Sequence, residues 1–107
     1  MDKIISVYYK EIKLGELAFD GSAYIYRAGA NNVQKAHKKG YSTFVYGFDE
    51  DFKMSYLPAP LKDMLPESPN DFVVEVAGIN PDDSEFEMLC KIAGANAKKD
   101  DFHVELK

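Results

Sequence analysis

Residues 4–27 read IISVYYKEIKLGELAFDGSAYIYR, and this stretch decides the fold class. Ile4, Ile5, Val7, Tyr8 and Tyr9 form a run rich in β-branched and aromatic residues, which suits a pleated, half-buried surface. Lys10-Glu11 reads as a turn, and Ile12 to Phe19 as the returning strand. Gly15 interrupts that strand in the manner of a bulge. Asp20-Gly21 is the strongest hairpin signal in the chain, because the pair tolerates the positive φ angles of a tight turn. Ala23 to Arg27 then supplies a third strand. The segment predicts a three-stranded meander.

Outward from the meander, Asn31 and Asn32 are expected to cap a short helix through Val33, Ala36 and His37, with Gly40 ending it. Ser42 to Phe48 (STFVYGF) reads as a further strand, and Asp49-Glu50-Asp51 as a turn. From Phe52 to Pro69 the prolines at 58, 60, 66 and 69 break regular structure. Phe52, Met54, Tyr56, Leu57, Leu61, Met64 and Leu65 sit among them, so this is no flexible linker. It either folds over the core as a lid or stays stiff for a partner.

Ser68, Pro69 and Asp71 read as the cap, first residue and capping-box acid of a helix to about Ala77, stopped at Gly78. Asn80-Pro81 repeats the start signal, with Asp82, Asp83 and Glu85 at the positive end of the helix dipole. Phe86, Leu89, Cys90 and Ala93 follow at i, i+3, i+4 and i+7, a buried stripe, and Gly94 is expected to end it. Phe102, Val104 and Leu106 alternate with His103 and Glu105 as a last strand. The expectation is an α+β fold in one domain over residues 1–107. Its small antiparallel sheet combines the amino-terminal meander with the carboxy-terminal strand and packs with two or three short helices.

Composition narrows the function classes. The chain has 107 residues, 46% of them hydrophobic and 29% charged, which is the balance of a globular domain. No apolar stretch approaches the roughly 20 residues of a membrane span, and the amino terminus does not read as a signal peptide. A single cysteine offers neither an internal disulfide nor paired thiolates for zinc, so the cytoplasm is the expected compartment. Thirteen Lys and Arg against 18 Asp and Glu leave a net charge of −5. The only basic run is Lys35, Lys38 and Lys39, which reads as a solvated helix face. Direct nucleic-acid binding is therefore not expected.

A search for chemistry mostly fails. Gly29-Ala30-Asn31-Asn32 lacks the later glycine and Lys-Ser/Thr pair of a phosphate loop. Ser22 and Ser42 read as turn serines rather than nucleophiles. Cys90 lies in an apolar stripe, where a thiol is held protonated. His37 and His103 fit no metal spacing and read as surface residues. Asp49, Glu50 and Asp51 lack the spaced ligands and central glycine of a calcium loop. No cofactor and no enzymatic activity are expected; such a domain works by contact.

The order of features resembles the amino-terminal subdomain of HipA-type serine/threonine kinases, toxins of bacterial toxin–antitoxin systems. The likeness lies in the hairpin with Gly15-Glu16-Leu17, the aromatic strand and Leu65-Pro66-Glu67-Ser68 opening a helix. Met88-Leu89-Cys90-Lys91-Ile92-Ala93-Gly94 before the closing strand completes it. It departs at Met54-Ser55-Tyr56-Leu57-Pro58 and at 94–101, where the family's loops read differently. Nothing of a kinase catalytic core follows, so no catalytic residue is carried over. A free-standing copy looks like the HipS-type antitoxins of HipB–HipS–HipT systems. The resemblance implies a protein that binds and restrains a HipT-like kinase toxin; a HipB-like DNA-binding protein is the third component of such systems and the candidate further partner.

On that reading Phe52, Met54, Tyr56, Leu57 and Met64 are the expected apolar anchors on the partner. Asp49, Glu50 and Asp51 are expected to face basic parts of the kinase. Two rivals differ in class. One is a detached kinase subdomain with no inhibitory role; the other is a small ligand-binding domain or hydrolase using Ser, His37 or carboxylates.

Overall fold

The computed structural model describes residues 3–66, 68, 72–95 and 100–107. Five antiparallel strands form one sheet in the order β4-β3-β2-β1-β5. They are β1 (Ile4–Tyr9), β2 (Ile12–Phe19), β3 (Tyr24–Ala28), β4 (Phe52–Met54) and β5 (Phe102–Leu106). The α+β architecture and the union of meander and last strand agree with the sequence pattern. Lys10 takes φ +52 in the first turn. In the second, Asp20 accepts the backbone N–H groups of Ser22 and Ala23, each at 2.8 Å, beside Gly21 at φ +99. Ser22 donates its own hydroxyl to the same carboxylate, so it is a turn serine.

Alternation sorts the sheet's two faces. Ile5, Val7, Leu17, Tyr24, Tyr26, Phe102 and Val104 point to the covered face and join one core. The other face carries Tyr8 stacked on His103, and Glu16 bridged by Lys13 (2.6 Å) and Lys107 (3.0 Å). Three elements cover the apolar face: α1 (Ala30–Lys38) brings Val33 and Ala36, α2 (Ala59–Lys62) brings Leu61, and α4 (Glu85–Ala95) brings Phe86, Leu89, Cys90 and Ala93. The helix α3 (Phe72–Ala77) packs outside α4 in a second cluster of Val73, Ile79 and Ile92. Gly78, at φ +70, ends α3 as expected, whereas the expected start at Pro69 and Asp71 lies outside the described residues.

Five local expectations are corrected. Ser42 to Phe48 is not a strand: Thr43–Tyr46 form a 3₁₀ turn, and Gly47 closes it in the left-handed region. Strict alternation would bury Phe44 with Tyr46 and Phe48, but the turn carries Phe44 and Val45 outward while Phe48 is fully buried. The strand that completes this edge is Phe52–Met54, in the segment expected to be least regular. Asn31 and Asn32 do not cap α1. The cap residue is Gly29, whose N–H donates to the Leu14 carbonyl at 2.7 Å and whose carbonyl accepts from Val33, so the helix starts two residues sooner than a cap at Asn31 would place it.

Nor does α4 begin at Asn80-Pro81. That pair lies in a turn closed by Asn80 N–H to Asp83 Oδ2 (2.8 Å), and Ser84 Oγ accepts from Glu87 N–H as the true cap. Lys91 fastens the turn to the helix through Asp83 at 2.6 Å and the Gly78 carbonyl. Finally, α4 runs through Gly94 to Ala95.

Candidate functional site

The acidic turn is built on the covered face, at the β4 edge. Tyr26, buried in β3, donates its hydroxyl to the Phe48 carbonyl at 2.7 Å. Its ring meets Phe48 edge-on and stacks on Phe52, both at 5.0 Å. Phe48 and Phe52 thus pin both ends of Asp49-Glu50-Asp51 to the core. Between them, Asp49 accepts from His37 Nε2 at 2.7 Å, and Asp51 accepts from the Ala28 N–H at 2.8 Å. Glu50 is exposed and makes no ion pair among the described residues. The turn is a rigid shelf held from both sides.

Tyr26 is the keystone of that shelf. Burial, reinforced by the charges of Asp49 and Asp51, pushes its phenol well above the ordinary value of 10.0. A raised acid of this kind contributes stability that is complete below the unfolded value. That contribution is lost as pH climbs past it, because the unfolded chain ionises first. Tyr26→Phe leaves the Phe48 carbonyl buried without its donor and is expected to cost about 1–3 kcal/mol at neutral pH. The loss on raising the pH above 10.0 should be smaller than in the parent, since one ionisation is gone. Urea unfolding at neutral and alkaline pH reads both effects.

The expected partner-binding residues divide into two groups. Asp49, Glu50, Asp51 and Phe52 come together on the shelf, and half-buried Met54 follows in β4. Tyr56, 67% exposed, stands just beyond. Leu57 and Met64 are buried instead: they are 3% and 8% exposed and join the main core with Leu61. For those two the lid reading holds, and they support the outer surface without forming it. The pattern of residues did not single out Phe44 and Val45, 68% and 64% exposed beside the acidic turn, because an aromatic strand would have hidden half of that stretch.

Between α1 and the 3₁₀ turn lies a cleft of about 600 Å³ lined by Val33, Gln34, His37, Phe44, Asp49 and Glu50, among others. A second, of about 730 Å³, has Tyr46, Asp63, Met64, Asp100, Asp101 and Phe102 in its lining. Neither joins a nucleophile to a base. Cys90 is buried, and burial raises its thiol pKa, the opposite of what a reactive thiolate needs. A strongly depressed carboxyl is structural: the Lys39 ammonium, Glu11's own backbone amide and the Tyr41 hydroxyl hold Glu11 at about 2. That contact straps the β1–β2 turn to the end of α1. Among the described residues no group of three His, Cys, Asp or Glu is placed to hold a metal ion, and no helix is long and apolar enough to cross a membrane.

No known family, curated protein or solved structure matches this chain. The functional reading therefore rests on the residues and their geometry.

Proposed function

We propose that this protein is a cytoplasmic antitoxin of the HipS type that binds a HipT-like serine/threonine kinase and inhibits it, with a HipB-like DNA-binding protein completing the complex. The observation that carries the reading is a rigid acidic shelf that shares a cleft with the exposed ring of Phe44, with Val45 next to it in the 3₁₀ turn and Tyr56 just beyond β4 also left in water. Large uncovered apolar groups rimmed by charge are the usual signature of a protein-docking face. The order of sequence features shared with the HipA-type subdomain names the partner class.

A subdomain held within a kinase chain benefits from an effective concentration that reaches roughly millimolar. Once free, it must hold by affinity alone, which calls for an interface of about 1,200–2,000 Å². Shelf, 3₁₀ turn and Tyr56 supply the centre of such a surface, and carboxylates at 49–51 complement a phosphate-binding, basic kinase face.

The test is co-purification with a HipA-type kinase that lacks its own amino-terminal subdomain, followed by autophosphorylation with and without this chain. Stable association and loss of phosphorylation are expected. A kinase that neither binds nor slows at tenfold excess overturns the reading, and binding without inhibition supports the detached-subdomain rival instead.

A further inference from the structure

We propose that the cleft between α1 and the 3₁₀ turn seats an arginine side chain supplied by the protein partner. The identity of that partner rests on the function proposed above; the chemistry of the cleft does not. Val33 and Gln34 line the α1 side and Phe44 the opposite side, and Asp49 and Glu50 bring two carboxylates to the same cleft. Phe44 keeps 68% of its surface in water although it sits in a turn whose neighbours Tyr46 and Phe48 pack inward. Asp49 spends one oxygen on His37 and its other oxygen is buried, so Glu50, exposed and without an ion pair among the described residues, is the carboxylate open to an occupant.

Among the described residues no lysine or arginine lines this cleft, and His37, which does, is engaged by Asp49 and not by Glu50. Lys35 and Lys38 of α1 do not line it, and Lys39 is engaged by Glu11 at 2.8 Å. An apolar occupant would bury carboxylates without compensation, and an anion would be repelled. A cation with a flat, weakly hydrated head fits both features at once. Guanidinium stacks on an aromatic ring while its fork of N–H donors reaches the Glu50 carboxylate, and its aliphatic stem suits Val33. A lysine ammonium, compact and strongly hydrated, makes less of the ring.

The test titrates ¹⁵N-labelled protein with capped tripeptides Gly-X-Gly, where X is arginine, lysine or citrulline. Saturable shifts at 33–37 and 44–50 are expected with the arginine peptide, weaker ones with lysine and none with citrulline. Phe44→Ser and Glu50→Gln should each weaken arginine binding by about threefold or more, the scale of an exposed cation–π or charge contact. Equal shifts with citrulline, or shifts confined elsewhere, overturn the proposal.

A second arm measures affinity for the kinase used above. Kinase binding that both variants leave unchanged overturns the cleft while sparing the antitoxin reading. Arginine in the cleft with no kinase binding upholds the cleft and overturns that reading.

Discussion

Gly15→Ala is expected to lose about 3 kcal/mol of stability, at the upper end for one added methyl group. The reason is local crowding. β2 carries a bulge: Val7 pairs with Gly15 and Tyr8 with Lys13, leaving Leu14 as the extra residue. Across the sheet Gly15 faces Ala28, and a Cβ built on it overlaps the Arg27 carbonyl and the Tyr26 hydroxyl and ring. The carbonyl is backbone within the paired β2–β3 ladder and cannot swing away. Nor is the Tyr26 ring free, being held by the Phe48 carbonyl and two phenylalanine rings.

The strain therefore passes into the tyrosine that anchors the acidic turn. For a domain of this size the melting temperature should fall by roughly 12–24 °C. Gly21→Ala is the control, since its φ of +99 disfavours a side chain but nothing lies within 4 Å. Its expected cost is about 1 kcal/mol. Equal melting temperatures for the two variants would mean that crowding around Tyr26 does not decide the matter.

Gly15 also shows how far the residues speak for themselves. A glycine inside a strand marks a bulge, and the bulge is there, although the residue that fits nowhere in the ladder is its neighbour Leu14. Patterns with a short period read correctly: the meander, the alternation of Phe102 and Val104, and the stripe from Phe86 to Ala93 all depend on neighbours in sequence. The 42–48 stretch did not, because β propensity describes a surface that must be available. The sheet edge is taken by Phe52–Met54, so Phe44, Tyr46 and Phe48 do not share one face. At the start of α4, two signals compete. Ser84 and Glu87 have capping-box spacing, but Asn80-Pro81 resembles a start as well. Only the bond from Asn80 N–H to Asp83 shows that the latter pair closes a turn instead. The acidic shelf was legible as a turn, whereas its fastening to His37 and Ala28 joins residues 12 and 23 positions apart and has no sequence signature.

Tyr56 and Leu57 are adjacent in sequence, yet their alanine variants should fail in different ways. Leu57 is packed into the core beneath the proline-bearing segment, so Leu57→Ala removes a buried side chain and leaves a void. Its expected cost is about 2–5 kcal/mol, seen as a lower urea midpoint, with any loss of kinase binding following from unfolding. Tyr56 has most of its surface in water, and Tyr56→Ala should change stability by no more than about 0.5 kcal/mol. If Tyr56 is an anchor, truncation removes a rigid, amphipathic ring from the interface, an effect of about 2 kcal/mol or roughly thirtyfold in Kd. Measuring both quantities on both variants separates support from contact. A Tyr56→Ala protein that keeps full affinity for the kinase moves the interface off this segment and onto the 3₁₀ turn, where Phe44→Ser is then the decisive variant. A Leu57→Ala protein that melts like the parent would mean that the segment does not seal the core, and the rigidity argued for the docking face would lose its footing.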